Sequence, residues 1–246
     1  MPPSPGQAHA GWRLPAPCGV CGTWSRPAGL CAECLRRFAA PAVRCTRCAL
    51  RVPPDMTLCG VCIRTPPLFE RAVTAFDYAF PWDHAIAAFK FRGELQWSAP
   101  LAQALAFAVR DEHDTVDLVT AVPLADSRLR ERGYNQAWEI ARRTAKLLGL
   151  PARHDLLHRL RDTPQQMQLN RRQRDANLRG AFMPGEVDAR RAVQGRCVAL
   201  VDDVMTTGTT ADEATRALLE AGARAVHLWV LARTERDSAP TDATIG

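Results

Sequence analysis

The chain has 246 residues, 47% of them apolar and 24% charged, which suits a soluble globular protein with one ordinary domain and a small module. Its formal net charge is +6, and residues 128–196 alone hold 15 Arg and one Lys against seven acids, so this segment carries +9 and the remainder −3. No apolar run approaches the roughly 18 residues of a membrane span, and no basic-then-apolar secretory signal opens the chain, so a cytoplasmic location is expected.

The two ends of the chain are richer in small and polar residues than the middle. Residues 1–17 hold many Pro, Ala and Gly, and residues 236–246 are mostly Asp, Ser, Ala, Pro and Thr. Such compositions bury too little apolar surface to offset chain entropy, so we expect a disordered start and a flexible tail. Between them we predict a cysteine-rich module over residues 18–66 and an α/β domain over residues 67–235.

Eight of the nine cysteines form four C-x-x-C pairs. They are Cys18, Cys21, Cys31, Cys34, Cys45, Cys48, Cys59 and Cys62. Each pair can wrap a turn around one metal ion, and two pairs complete a tetrahedral four-cysteine zinc site. Because eight thiolates fill two such sites, we predict about two structural Zn²⁺ ions. A disulfide framework would need an oxidising compartment, which nothing in the sequence indicates.

The pairing of these motifs has two alternatives. Sequential pairing forms two small ribbons, whereas cross-braced pairing joins the first motif to the third. We favour sequential pairing because short loops cost less entropy to close. The module holds few core apolar residues, so we do not expect it to fold without metal. Cys197 opens a predicted buried strand and is expected to be a core residue.

From about residue 70 the pattern becomes that of an α/β domain. Predicted strands cover residues 72–78, 117–122, 198–202 and 225–231. Predicted helices cover residues 83–91, 98–112, 135–148 and 210–221, and residues 124–134 are predicted to form a polar loop. Strands alternating with helices favour a mostly parallel sheet with helices on its faces. Ligands of such sheets bind at the carboxyl ends of the strands.

One strand end carries an unusual combination of residues. The apolar residues 198–201 run into Asp202 and Asp203, and a Thr-rich turn then opens a helix. The turn consists of Thr206, Thr207, Gly208, Thr209 and Thr210. Free N–H groups at a helix N-terminus, together with hydroxyls, favour a phosphate, whereas carboxylates need a donor such as a ribose hydroxyl. The pattern predicts a ribose 5-phosphate site, and it matches neither the Walker nor the dinucleotide fingerprint.

The stretch VALVDDVMTTGTT resembles the ribose-5-phosphate signature of type I phosphoribosyltransferases. Three further blocks resemble the ComF family: K-F-x-G at residues 90–93, V-P-L…R…R-G-Y-N-Q at residues 122–136, and T-x-x-Q…R-x-x-N-L at residues 163–178. The resemblance spans roughly residues 18–233. It implies a type I phosphoribosyltransferase fold preceded by a double zinc ribbon. It also implies that Asp202 and Asp203 contact the ribose diol, and the Thr-rich turn the 5′-phosphate, of phosphoribosyl pyrophosphate (PRPP).

The loop after residue 122 is where phosphoribosyltransferases hold pyrophosphate. The candidates for contact with pyrophosphate are Lys90, at a predicted helix end, and Pro123, Leu124, Arg128, Arg132, Gly133, Asn135 and Gln136. The guanidinium groups of Arg128 and Arg132 suit phosphate oxygens, and Gly133 lets the chain turn. Asn135 has the alternative of capping the next helix, and Lys90 that of facing solvent.

The polar stretch 161–182 has two interpretations. As a lid it would close Thr163, Gln166, Arg174 and Asn177 over the ligand. The alternative is an Arg-rich surface loop. The basic segment as a whole likewise indicates an anionic partner or simply a solvated surface.

Two hypotheses for function remain. In the first, the protein transfers the phosphoribosyl group of Mg²⁺-bound PRPP to an unknown acceptor, with Arg128, Arg132, Asp202 and Asp203 as the catalytic candidates. No general base is evident, and the N-terminal cysteine of true amidophosphoribosyltransferases is absent. In the second, a PRPP-binding protein engages single-stranded DNA or competence proteins in DNA uptake. The sequence sets no oligomeric state.

Overall fold

The computed structural model describes residues 15–25, 29–160 and 180–235. The cysteine-rich part forms two lobes, which we call the first lobe (residues 18–34) and the second lobe (residues 45–62). A short antiparallel pair, β1 (Ala16–Pro17) and β2 (Trp24–Ser25), lies on either side of the first two cysteines of the first lobe, and helix α1 (Ala32–Phe38) begins at its end. The second lobe leads into helix α2 (Gly60–Arg64).

The remaining elements build the α/β part of the chain. Its strands are β3 (Arg71–Asp77), β4 (Leu118–Ala121), β5 (Leu157–Arg159), β6 (Phe182–Pro184), β7 (Cys197–Met205) and β8 (Ala225–Arg233). Its helices are α3 (Trp82–Phe91), α4 (Ser98–Ala108), α5 (Asp126–Arg132), α6 (Gln136–Leu148), α7 (Val187–Val193) and α8 (Thr209–Glu220). Two 3₁₀ turns, Leu95–Trp97 and His113–Thr115, flank α4.

Four parallel strands form the central sheet in the order β3-β8-β7-β4. All nine residues of β8 are buried, as expected for an inner strand covered on both faces. The expected α/β class with a parallel sheet is therefore confirmed. Among the helices of the described ranges, none combines the length and the apolar character that crossing a membrane requires.

Side chains of β7 alternate between two apolar cores. Ala199 and Val201 pack with α3, α4 and α6, while Val198 and Leu200 pack with α7, α8 and the β5–β6 hairpin. Cys197, the ninth cysteine, is buried in the first of these cores, as predicted. Burial raises the pKa of its thiol to about 11.

The predicted element bounds were wrong in several places. Residues 124–134 are not a loop, because they contain α5; this helix has no buried residue and therefore shows no apolar period. Its end is set by Gly133, whose φ of 80° suits a left-handed cap. Helix α4 ends at Ala108 rather than at residue 112, and β7 extends beyond residue 202 to Met205. The β5–β6 hairpin and α7 were not predicted.

Candidate functional site

The carboxyl ends of β4 and β7 form the edge at which the acidic residues lie. The two strands are parallel and in register at Ala121 and Val201, after which β4 ends and β7 continues to Met205. Asp202 and Asp203 are thus the first residues of β7 beyond the end of β4. Their side chains border the space left at the carboxyl end of β4. This is the position at which parallel α/β sheets bind ligands.

The carboxylate of Asp203 is held by two neighbouring side chains. Lys90 Nζ, at the end of α3, lies 2.9 Å from Oδ2 and 3.2 Å from Oδ1. Gln136 Nε2, at the start of α6, donates to Oδ2 at 2.7 Å. Asp203 is only 4% exposed. Burial alone would raise its pKa, but Lys90 and Gln136 outweigh burial and lower the pKa.

Asp202 points to the opposite face of the sheet, since neighbouring strand residues alternate. It is half-buried, and its Oδ1 accepts a hydrogen bond from the Asp203 N–H at 2.8 Å. Burial and the adjacent Asp203 charge raise the pKa of Asp202 to about 7, although Lys90 and Arg159 act in the opposite direction. The two neighbouring acids therefore have opposite pKa shifts.

The Thr-rich turn connects β7 directly to α8. Gly208 adopts a φ of 89° and occupies the N-cap of α8, a conformation that disfavours other residues. The hydroxyls of Thr207 and Thr209 lie 2.9 Å apart, and Thr206 and Thr207 are exposed. Gly208 supplies no capping oxygen, and in the first turn of α8 the Thr209 N–H donates to Thr207 Oγ1 at 3.4 Å. The turn, including half-buried Thr210, has the features of a phosphate-binding loop.

Helix α5 carries the two candidate arginines. Arg128 and Arg132 are four residues apart and hence on one side of the helix. Arg132 Nη1 donates to Gln136 Oε1, and its guanidinium lies 5.4 Å from the ring centre of Phe91. A continuous chain of contacts thus runs from Arg132 through Gln136 and Asp203 to Lys90.

Some of the other candidates lie within the residues that the structure describes, and the rest lie outside them. Asn135 caps α6: its Oδ1 accepts from Trp138 N at 3.3 Å and its Nδ2 donates to Val122 O at 3.0 Å. Half-buried Pro123 and Leu124 join β4 to α5, and Gly133 joins α5 to α6. Thr163, Gln166, Arg174 and Asn177 lie outside the described residues, as do the predicted tail and most of the predicted disordered start.

The cysteines gather in two groups of four, one in each lobe. The groups are Cys18, Cys21, Cys31 and Cys34, and Cys45, Cys48, Cys59 and Cys62, with the sulfurs of each group within 4.8 Å of one another. This confirms sequential pairing. The sulfurs of Cys21 and Cys31 are 3.7 Å apart, and those of Cys48 and Cys59 are 3.6 Å apart. Ligands about 2.3 Å from a tetrahedral zinc lie about 3.8 Å from each other, so both groups fit that ion.

Some of these thiols are already disposed to ionise. Hydrogen bonds from the side chain and backbone of Thr23 lower the pKa of Cys21 to about 6. At Cys59 burial raises the pKa, but hydrogen bonds from Cys62, Cys48 and Val61 outweigh it and lower the pKa to about 7. Because thiolates are the form that ligates metal, these two shifts favour binding, whereas burial raises the pKa of Cys34 and Cys62 in the same groups.

Sequence reasoning missed three side chains that connect the site to its surroundings. Arg233 donates to the carbonyls of Met205 and Thr206, at the start of the Thr-rich turn of residues 206–210, which we call the phosphate loop. Asp212 accepts from the Leu68 N–H at 2.8 Å, and Asp77 pairs with Arg44 and Arg51 of the cysteine-rich part. Only Arg233 gave a sequence signal, as a charge at the end of an otherwise apolar strand.

Comparison with known proteins agrees with this architecture. A family model described as a phosphoribosyl transferase domain matches residues 134–245. DNA utilization protein YhgH of Escherichia coli K12 is 32% identical over 232 residues, which cover 90% of this chain and 98% of that protein. Competence protein F of Haemophilus influenzae is 31% identical over 210 residues, covering 83% and 90%.

A solved structure of glutamine PRPP amidotransferase from B. subtilis, complexed with ADP and GMP, is 28% identical. It matches 54% of this chain and 25% of its own, with a TM-score of 0.36. The nearly full-length similarity to YhgH, the family model and the paired cysteine groups ahead of a parallel sheet point the same way. The chain therefore belongs to the ComF family of proteins with a phosphoribosyltransferase-type domain.

Proposed function

We propose that the chain binds the ribose 5-phosphate unit of PRPP at the carboxyl end of β7. The observation that carries this proposal is the β7–α8 junction, where half-buried Asp202 lies near the end of β7 and the Thr-rich turn begins four residues after it. The 5′-phosphate would accept hydrogen bonds from the N–H and hydroxyl groups of residues 206–210. Ribose hydroxyls would donate to the carboxylates.

The two acids differ in their readiness to accept these hydroxyls. Asp203 already accepts from Lys90, Gln136 and the Val204 N–H, so its oxygens have little remaining capacity. Among the described residues, the hydrogen bond given to Asp202 comes from the Asp203 N–H. We therefore place Asp202 as the first acceptor of the diol, with Asp203 joining when Lys90 moves away.

The pyrophosphate is proposed to lie before Pro123 and Leu124, against Arg128 and Arg132. A bound Mg²⁺ would neutralise charge on the pyrophosphate, and oxygen ligands such as the Asp202 carboxylate suit it. If transfer occurs, the arginines stabilise the leaving pyrophosphate and the loop holds the ribosyl group in place. Binding alone requires the same groups, so the site supports the donor half of a transfer reaction.

Thermal unfolding with and without PRPP and Mg²⁺ tests this assignment. Ligand binding raises the unfolding midpoint, so we expect a shift in wild type and none in the Asp202→Ala, Asp203→Ala double variant. Glu220→Ala, at an exposed acid ending α8, is the matched control and should keep the shift. No shift in wild type would contradict the assignment. Pyrophosphate release from PRPP in the presence of a nucleobase panel then separates transfer from binding.

A second candidate function, engagement of single-stranded DNA in DNA uptake, is favoured by the names of the relatives. They are called DNA utilization protein and competence protein. The net charge of +9 over residues 128–196 would attract the phosphate groups of such a strand. Affinity for single-stranded DNA should fall steeply as salt rises, and binding that ignores salt, or no binding at low salt, would contradict this role.

We also propose that each lobe holds one structural Zn²⁺. Four thiolates in each lobe complete the tetrahedron and leave no position for substrate. Reaction at these ions is therefore not part of the proposal, and their contribution is to the fold of the lobes.

A further inference from the structure

Arg233, the last residue of β8, joins the second lobe to the phosphate loop. It is 2% exposed. Its Nε donates to the carbonyl oxygen of Cys48 at 2.9 Å, and its Nη1 donates to the carbonyl oxygens of Met205 at 3.0 Å and Thr206 at 2.6 Å. Cys48 belongs to the second cysteine group, and Thr206 is the first residue of the loop. The guanidinium of Arg233 thus contacts both the second lobe and the phosphate loop.

The partners of this guanidinium that carry the argument are backbone carbonyls. A buried arginine is costly unless its N–H groups are paired, and the planar fork fixes the directions in which it can donate. Contacts to main-chain oxygens therefore fix the path of the backbone at Cys48 and at Thr206 relative to each other. The Thr234 N–H, next along the chain, also donates to Met205 O, at 3.1 Å.

A second connection runs through the segment that leaves the second lobe. The Leu68 N–H donates to Asp212 Oδ1 in the first turn of α8 at 2.8 Å. Arg47 Nη1 donates to Phe69 O at 3.4 Å, and the Ala72 N–H donates to Thr46 O at 3.3 Å. Both ends of the phosphate loop are thus tied to the second lobe or to the chain that follows it.

The first lobe has a different neighbour. A Cβ atom added to Gly29 would lie 2.4 Å from Pro100 Cγ, and one added to Gly19 would lie 2.6 Å from the Trp97 ring. These close approaches place the first lobe against the start of α4. Loss of metal from the first lobe can therefore serve as a control for loss of metal from the second lobe.

We propose that Arg233 is a positioning residue that makes the geometry of the phosphate loop depend on the folded, metal-loaded second lobe. The inference rests on the proposed function for the identity of the ligand. Loss of metal from the second lobe would release Cys48, shift the guanidinium and loosen the loop, whereas loss from the first lobe would leave the loop in place. Binding of the 5′-phosphate is thereby coupled to the second metal site.

Hydrogen exchange in the full-length protein tests the inference without ligand. The Asp212 N–H donates to Gly208 O, so its protection reports the position of the loop. Arg233→Lys keeps the charge but loses the fork, and we expect exchange over residues 205–214 to quicken about tenfold, the equivalent of one charge-assisted hydrogen bond. Arg142→Lys is the matched control, because Arg142 pairs with Glu139 within α6 and contacts neither the second lobe nor the loop among the described residues, and it should leave this exchange unchanged.

Two further measurements complete the test. Cys62→Ser should quicken exchange at the loop, and Cys34→Ser should not. In Arg233→Lys the dissociation constant for ribose 5-phosphate should rise about tenfold. Unchanged loop exchange in Arg233→Lys, or an equal increase throughout the sheet, would overturn the inference. Absence of ribose 5-phosphate binding in wild type would instead overturn the proposed function, while the exchange data would still decide the role of Arg233.

Discussion

Single residues at the candidate site owe their properties to which face of the sheet they occupy. Asp202 and Asp203 are adjacent in the chain, yet strand alternation sends them to opposite faces. Asp203 meets Lys90 and Gln136 there and its pKa falls. Asp202 experiences burial and the charge of Asp203, and its pKa rises. One acid is therefore ionised in the folded protein over a wide pH range, and the other titrates near neutrality.

The raised pKa of Asp202 predicts a pH-dependent stability. An unfolded Asp titrates at about 3.9, whereas Asp202 in the folded chain titrates at about 7. Between these values the folded protein keeps a proton that the unfolded chain releases, so this group's contribution to stability falls as pH rises from about 4 to about 7. Asp202→Asn cannot ionise, so its stability relative to wild type should rise by on the order of 1 kcal/mol or more as pH increases from about 4 to about 7.

Urea unfolding of both proteins at each pH measures this difference. Glu220→Gln, at an exposed acid of α8, serves as the control and should follow wild type. If the free energies of unfolding of Asp202→Asn and wild type run parallel with pH, the assigned pKa is wrong. In the same variant, the affinity for PRPP should fall, because the proposed acceptor for the diol is weakened.

The Lys90–Asp203 pair predicts a measurable coupling energy. Lys90→Met should destabilise the protein by about 1–3 kcal/mol, since it leaves the carboxylate of a 4%-exposed aspartate without its cation. Asp203→Asn in the same background should recover part of the loss. A double-mutant cycle from denaturant unfolding gives the coupling. Lys146→Met, at an exposed position of α6, is the control, and purely additive effects would contradict the pairing.

The sequence nominated Lys90, Gln136 and Asp203 from separate motifs, but it did not predict that they contact one another. Such contacts depend on which face a strand residue occupies and on how α3 and α6 cross the sheet. For Lys90 the alternatives were a phosphate contact or solvent, and neither includes the ion pair with Asp203 that the structure shows. Arg233 was not a candidate, because an arginine at the end of an apolar strand usually lies at the surface.

At the scale of secondary-structure elements, Gly208 links turn geometry to ligand binding. A Cβ at this position meets Met205 Sδ at 3.8 Å and Phe69 Cζ at 4.0 Å, which are ordinary contacts. The cost of Gly208→Ala therefore comes from its φ of 89°, and we expect a loss of about 1 kcal/mol in stability. The loop should also lose affinity for ribose 5-phosphate, measured by titration calorimetry.

A matched control for this variant exists elsewhere in the chain. Gly195 has a φ of 68°, and open space surrounds its missing Cβ. Gly195→Ala should cost about the same stability through the same backbone strain while leaving ribose 5-phosphate affinity unchanged. Equal losses of affinity in the two variants would show that the loop has no special role.

The elements with strong apolar patterns were predictable, and those without them were not. Strands β4, β7 and β8 are buried on both faces, so continuous apolar runs predicted them. Helix α5 has no buried residue, and its polar sequence was mistaken for a loop. Within the described ranges, the short strands β5 and β6 pair with each other and not with the central sheet, which a three-residue pattern cannot reveal.

For the whole molecule, the question is how two lobes with almost no core of their own remain attached to a well-packed sheet. The buried residues of the second lobe's cluster are Cys45, Cys59 and Cys62, so the lobe has little apolar stabilisation beyond its cysteines. Its attachments are apolar as well as polar: Ala49 is buried in one core of the sheet, Arg51 and the preceding Arg44 pair with Asp77, and Arg233 donates to the Cys48 carbonyl. The cysteine spacing alone predicted the two groups, whereas these attachments required the folded sheet.

This architecture predicts that metal stabilises the lobes far more than the sheet. Metal analysis of the purified protein should give about two zinc ions per chain, one for each four-cysteine group. Chelation under reducing conditions should lower the unfolding midpoint and expose residues 18–62 to protease, because thiolates crowded without a cation repel one another. The sheet cores, which consist of side chains such as Trp229, Ile140 and Leu218, should still unfold cooperatively. Re-addition of Zn²⁺ should restore protection, whereas protein that carries no metal and resists protease equally with and without chelator would contradict the two-site assignment.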